Sequence, residues 1–101
     1  MLQPLDGPAV QGNLSVGVGA VVEVKVGASP LEDRKVVTLQ PDDKVYVYFA
    51  QQLETPTIGD VSSKGFIHYK NSKETYEAAD SQAIYLLSVS GTINVKIAER
   101  A

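Results

Sequence analysis

The chain predicts an all-β domain: an antiparallel β-sandwich or jelly-roll-like barrel of about seven or eight short strands, with an extended N-terminal arm. Three observations predict it. Short runs rich in Val, Ile, Tyr and Thr alternate apolar and polar residues with the period of two expected of half-buried strands. Gly, Pro, Asn and Asp punctuate those runs at turn positions. No stretch holds a helical period over about ten residues. The most regular run closes the chain: in SVSGTINVKIAERA, Ile93, Val95 and Ile97 alternate with Thr92, Asn94, Lys96 and Ala98, so one face is apolar.

Residues 1–13 carry Pro4, Gly7, Pro8 and Gly12, which interrupt any regular element and read as an arm outside the core. The domain proper then runs from 14 to 101. In LSVGVGAVVEVKV, Val22, Val24 and Val26 alternate with Val21, Glu23 and Lys25, a β-rich strand that Gly27 to Pro30 ends. Gly17 and Gly19 lack the third glycine of a dinucleotide loop and mark a bulge or a join between arm and sheet.

RKVVTLQ and KVYVYF follow, separated by Pro41-Asp42-Asp43, and read as a hairpin. The second strand sets Val45, Val47 and Phe49 on one face and Tyr46 and Tyr48 on the other, so both faces want cover. Residues 50–63, AQQLETPTIGDVSS, have no clear period and contain Pro56 and Gly59; they read as a long loop of the kind that forms interfaces. KGFIHYK and KETYEAA make a pair of strands turning at Asn71-Ser72. AIYLLSV and TINVKIAE make a last hairpin across Ser90-Gly91.

With 101 residues the chain is one domain. At 44% hydrophobic and 21% charged residues it is expected to fold as a globular protein. A net charge of -3 with scattered Lys and Arg argues against nucleic acid as the partner. No apolar run reaches the roughly 18 residues of a membrane span, and MLQPLDGPAV has neither the basic region nor the apolar core of a secretory signal. Zero cysteines exclude disulfides, Cys-ligated zinc and a thiol nucleophile. Asn13-Leu14-Ser15 fits the glycosylation pattern by chance in a chain without a signal.

Chemistry is sparse. His68 is the single histidine, which leaves no second imidazole for a metal site or a relay, and it reads as an exposed or interface strand residue rather than a base. No Gly-x-Ser-x-Gly elbow is present. Glu32-Asp33, Asp42-Asp43, Glu54, Asp60 and Asp80 lack the spacing of a calcium loop and sit where turns favour acids. The chain is therefore expected to be neither an enzyme nor the holder of a cofactor or metal. Tyr46, Tyr48 and Tyr69, if outward on one sheet, would form surface aromatic contacts for sugar rings, which supports an alternative reading as a carbohydrate-binding module for host surface glycans.

Two segments, LEDRKVVTLQPDDKVYVYF and DSQAIYLLSVSGTINVKIAERA, together resemble small structural proteins encoded among bacteriophage virion genes. Those proteins often carry a motif like RK-apolar-x-I-Q-P before a strand like x-V-Y-V-G-F, and finish on I-Y-L-I-S-x-S-G-T-V-x-V-R-I-A-E. Arg34, Lys35, Gln40, Pro41, Val45 and Tyr46 fit the first part. Ile84, Tyr85, Ser90, Gly91, Thr92, Val95, Ile97, Ala98 and Glu99 fit the second. The match covers about two fifths of the chain, and Tyr48 departs from it where glycine is common.

The resemblance implies a virion protein of the decoration or cement type, or a head-tail fibre element, bound to the major capsid protein or another virion protein. It implies a homo-oligomer, with a trimer natural at a threefold lattice position. In that setting the arm lies across a neighbouring subunit, and Leu2, Leu5, Val10 and Leu14 are its expected anchors. Removing residues 1–13 would then weaken attachment and leave the fold intact. The C-terminal strand would close the sheet while the other terminus reaches out.

Overall fold

The computed structural model describes residues 8–51 and 53–101. Eight strands and one short helix follow in the order β1 (Ala9–Val16), β2 (Val22–Glu23), β3 (Val36–Pro41), β4 (Val45–Phe49), α1 (Ile58–Lys64), β5 (Phe66–His68), β6 (Glu74–Glu77), β7 (Ile84–Ser88) and β8 (Ile93–Arg100). They form two four-stranded sheets with strand orders β1-β8-β3-β6 and β2-β7-β4-β5, antiparallel throughout.

The pairing has a simple rule. β1 pairs with β8, β2 with β7, β3 with β6 and β4 with β5, as in one long hairpin folded at its middle. The contacts β3·β8 and β4·β7 wrap that hairpin around itself. The result is an eight-stranded jelly roll, so of the two architectures expected, sandwich or jelly roll, the strand order selects the second.

The burial of each strand follows its alternation. In β8, Ile93, Val95, Ile97 and Glu99 are buried while Asn94, Lys96 and Arg100 are exposed. The facing layer brings Val45 and Val47 from β4 and Ile84 and Leu86 from β7, and with Val37 and Leu39 from β3 they make one core between the sheets. Burying each such side chain stabilises the fold by roughly 1.5–3 kcal/mol.

One end of the core is closed by ions. Arg34 and Glu99 pair at 2.8 Å with both side chains fully buried. Arg34 also donates to the carbonyls of Val24, Ala78, Ala79 and Gln82, so its five N–H groups all find acceptors. Glu99 in turn accepts from the backbone N–H groups of Val26 and Leu31. Two side chains thus tie β8 to the segments that leave β2, enter β3 and follow β6. Their role is structural.

Several expectations need correction. Residues 9–13 are not part of an arm: they lie in β1, in register with β8 from Ala9↔Arg100 to Val16↔Ile93. Val10, Gly12, Leu14 and Val16 make up the inward set, and Gly12 hides the alternation because its missing side chain leaves room for Val26, whose Cγ1 lies 3.2 Å from where a Cβ would stand. The expected loop over 50–63 instead runs into α1, which starts at Ile58 with a capping box in which the Thr57 hydroxyl accepts from Asp60 N–H and the Asp60 carboxylate accepts from Thr57 N–H. The three expected hairpins are not hairpins: β3 and β4, β5 and β6, and β7 and β8 each lie in opposite sheets, and their turns are arches over the core.

Candidate functional site

The two sheets do not close on each other everywhere. β5 is the edge of one sheet and β6 the edge of the other, and between them the core opens to the surface. Register directs Phe66 to the same side as Val47, its partner on β4, and Tyr76 to the same side as Val37, its partner on β3. Phe49, Phe66 and Tyr76 fill the opening, with ring centroids 5.7–6.0 Å apart in tilted or edge-on arrangements that suit aromatic quadrupoles. Phe49 and Phe66 remain 41% and 44% exposed.

His68, expected as an exposed or interface strand residue, stands behind them and is buried within the chain itself. Its Nε2 lies 2.6 Å from the Ser72 carbonyl oxygen, and a carbonyl only accepts, so Nε2 carries the proton. In the neutral ring Nδ1 then accepts from the Tyr76 hydroxyl at 2.9 Å. Both ring nitrogens are occupied, and the imidazole holds β5 to β6 across the opening. Burial, with the nearby charge of Glu74, pushes the Tyr76 phenol above its ordinary value.

Seven large apolar side chains are exposed among the described residues, and six of them fall between positions 49 and 69: Phe49, Leu53, Ile58, Phe66, Ile67 and Tyr69. Leu53 is the extreme case, 98% exposed with a positive φ of 66°, a conformation that a leucine rarely adopts. Glu54 braces that turn. Its carboxylate accepts from Gln51 N–H at 2.9 Å and from the Tyr48 hydroxyl at 2.7 Å. The bond to Glu54 raises the Tyr48 phenol above its usual value, aided by burial and by the charges of Glu54 and Asp60.

The residues expected at the surface are distributed differently. Tyr46 and Tyr48 are half-buried on the outer face of the β2-β7-β4-β5 sheet, opposite Leu87 and Tyr85 on β7. Tyr69 is 65% exposed beyond β5. No ring pair joins any two of these three among the described residues, whereas Phe49 and Phe66, absent from that expectation, do associate. Of the arm anchors, Val10 and Leu14 sit half-buried in β1, and Leu14 packs against the core. Leu2 and Leu5 lie outside the described residues. Among the described residues no three His, Asp or Glu side chains gather as metal ligands would.

Comparison with protein-family models, with curated proteins and with solved structures finds no match to this chain.

Proposed function

We propose that this chain is a structural protein of a bacteriophage particle, of the decoration or cement type, which attaches to the assembled capsid or tail surface and stabilises it. The observation that carries the reading is the concentration of exposed apolar side chains along residues 49–69, among them Phe49 and Phe66 at the open aromatic edge. Soluble chains gain nothing by leaving phenylalanines and a strained leucine in water, and aromatic residues are enriched in the desolvated centres of protein interfaces. The resemblance in segments 31–49 and 80–101 supplies the kind of partner, a repeated virion protein surface such as the major capsid protein. A partner that binds only the assembled lattice stabilises it by the free energy of that binding.

The reading is of a non-catalytic protein without a cofactor, at work in the virion. It is supported by the engagement of both nitrogens of the one imidazole with Tyr76 and Ser72. A homo-oligomer, trimeric at a threefold lattice position, belongs to the same proposal. Light scattering over a dilution series checks that state: a persistent trimer is expected, and a monomer at every concentration overturns it.

Attachment is tested on particles assembled without the protein. The single variant Leu53→Ser removes a side chain that is 98% exposed and is expected to melt within a few degrees of the parent, yet to weaken particle binding. Adding Phe66→Ser is expected to bring the loss to at least about tenfold, with some loss of stability from the ring contacts removed. Equal binding by parent and variant would remove this edge from the mechanism. A second reading, glycan binding, is favoured by a different surface on the other sheet.

A further inference from the structure

We propose that the outer face of the β1-β8-β3-β6 sheet is a binding site for an acidic oligosaccharide. The register of three strands builds it in rows. Gln11, Ala98 and Thr38 stand side by side on β1, β8 and β3, and Asn13, Lys96 and Gln40 form the next row. Alternation turns all six outward, since their neighbours in sequence carry the buried side chains of the core. The short Ala98 at the centre leaves a hollow between longer side chains. The resulting groove has a volume of about 510 Å³, a size that accommodates a few sugar rings.

Its chemistry is one-sided. Lys73, Lys96 and Arg100 line the groove and no carboxylate does, although the whole chain carries a charge of -3. The ion pairs formed among the described residues, Lys25–Glu23, Arg34–Glu99 and Lys64–Asp60, involve none of those three cations. Between the charges stand three amides and a hydroxyl, which offer the mixed donors and acceptors that sugar hydroxyls require. Three of these groups are already oriented: Asn94 Nδ2 donates to Asn13 Oδ1 at 3.2 Å, Gln40 Nε2 donates to the Asn71 carbonyl oxygen at 3.4 Å, and the Thr38 and Thr75 hydroxyls are 2.9 Å apart.

The same lining disfavours other ligands. No aromatic ring borders the groove, so unstacked bases would find no platform there and a neutral sugar would find no face to stack on. An acidic sugar replaces stacking with charge-assisted hydrogen bonds to Lys96 and Arg100. This site is separate from the 49–69 segment, and binding at the two can fail independently.

The test is calorimetric titration of the full chain with four probes: a hexauronate, a sulfated hexasaccharide, maltohexaose and a thymidine hexanucleotide. Saturable binding of one or both acidic saccharides is expected, lowered about tenfold by Lys96→Gln with the melting temperature unchanged, and weakened by salt. Arg100→Gln, placed at the strand end, repeats the test if Lys96→Gln perturbs β8. The proposal is overturned if neither acidic saccharide binds, if maltohexaose binds as well as they do, if the hexanucleotide matches them, or if neither variant weakens binding.

Discussion

Two buried polar arrangements show how single residues hold this molecule. Arg34 and Glu99 are fully buried, and each is saturated by hydrogen bonds from or to the other and the backbone. Removing one partner leaves an uncompensated charge, so Glu99→Leu is expected to cost about 3–5 kcal/mol in urea denaturation, and Arg34→Met a similar amount. The double variant is expected to lose less than the two singles summed, because no orphan charge remains. Tyr76→Phe removes the donor to His68 Nδ1 and leaves a buried acceptor unmet, with an expected loss of about 1–3 kcal/mol. The Tyr76 phenol has its pKa raised in the folded state, so its contribution is intact below the ordinary value of 10.0 and is lost as pH rises through the higher folded value. Alkaline unfolding followed by circular dichroism should therefore begin above about pH 10, and an absorbance titration of Tyr76→Phe should lack one late-ionising phenol.

At the scale of elements, α1 depends on its two ends. Thr57 caps the first turn, and Thr57→Ala is expected to cost about 1 kcal/mol. The Asp60 carboxylate is held below its ordinary range, first by the Thr57 N–H and then by the Thr57 hydroxyl and the charge of Lys64. A depressed folded value means that this support is present above the ordinary 3.8 and disappears as pH falls through the folded value. Gly65 ends the helix where a Cβ would come within 2.5 Å of the Val61 carbonyl oxygen and 2.9 Å of that of Val47. Both obstacles are backbone, so Gly65→Ala is expected to cost about 3 kcal/mol in thermal melts, by forcing the helix end away from β4. The helix was legible in the sequence through the Thr57-x-x-Asp60 spacing. Its short length and the adjacent Pro56 mask a helical period.

At the scale of the whole molecule, the pairing of β1 with β8 completes one sheet. β1 and β8 pair residue 9 with residue 100, and Ala101 N–H continues the ladder to the Pro8 carbonyl. Truncation through residue 13 deletes most of an edge strand, and is expected to lower the denaturation midpoint as well as any attachment; an unchanged midpoint would show that β1 contributes nothing to stability. Pairing of such distant segments also carries the largest loop-closure cost, so refolding by stopped-flow is expected on the slow side, in about milliseconds to seconds. The aromatic edge was not legible for the same reason. Phe49, Phe66 and Tyr76 belong to three strands, and a sequence shows Phe66 in an alternating run without showing that this run lies at a sheet edge.

What the sequence by itself determined is local: an all-β chain, the approximate position of the strands, the turn at Pro41-Asp42, the turn at Asn71, and the inward set of the C-terminal strand. Those follow from side-chain alternation and from residues such as Asn71, which takes a φ of 61°, and Gly91, which takes one of 66°. Tertiary structure decided the pairing. A turn signal says that the chain reverses, not whether it reverses within a sheet or crosses to the opposite one, and either outcome satisfies the same alternation. Burying both apolar faces against each other required the arches, which set Phe49, Phe66 and Tyr76 together at one edge and Asn13, Lys96 and Gln40 in line across the other sheet.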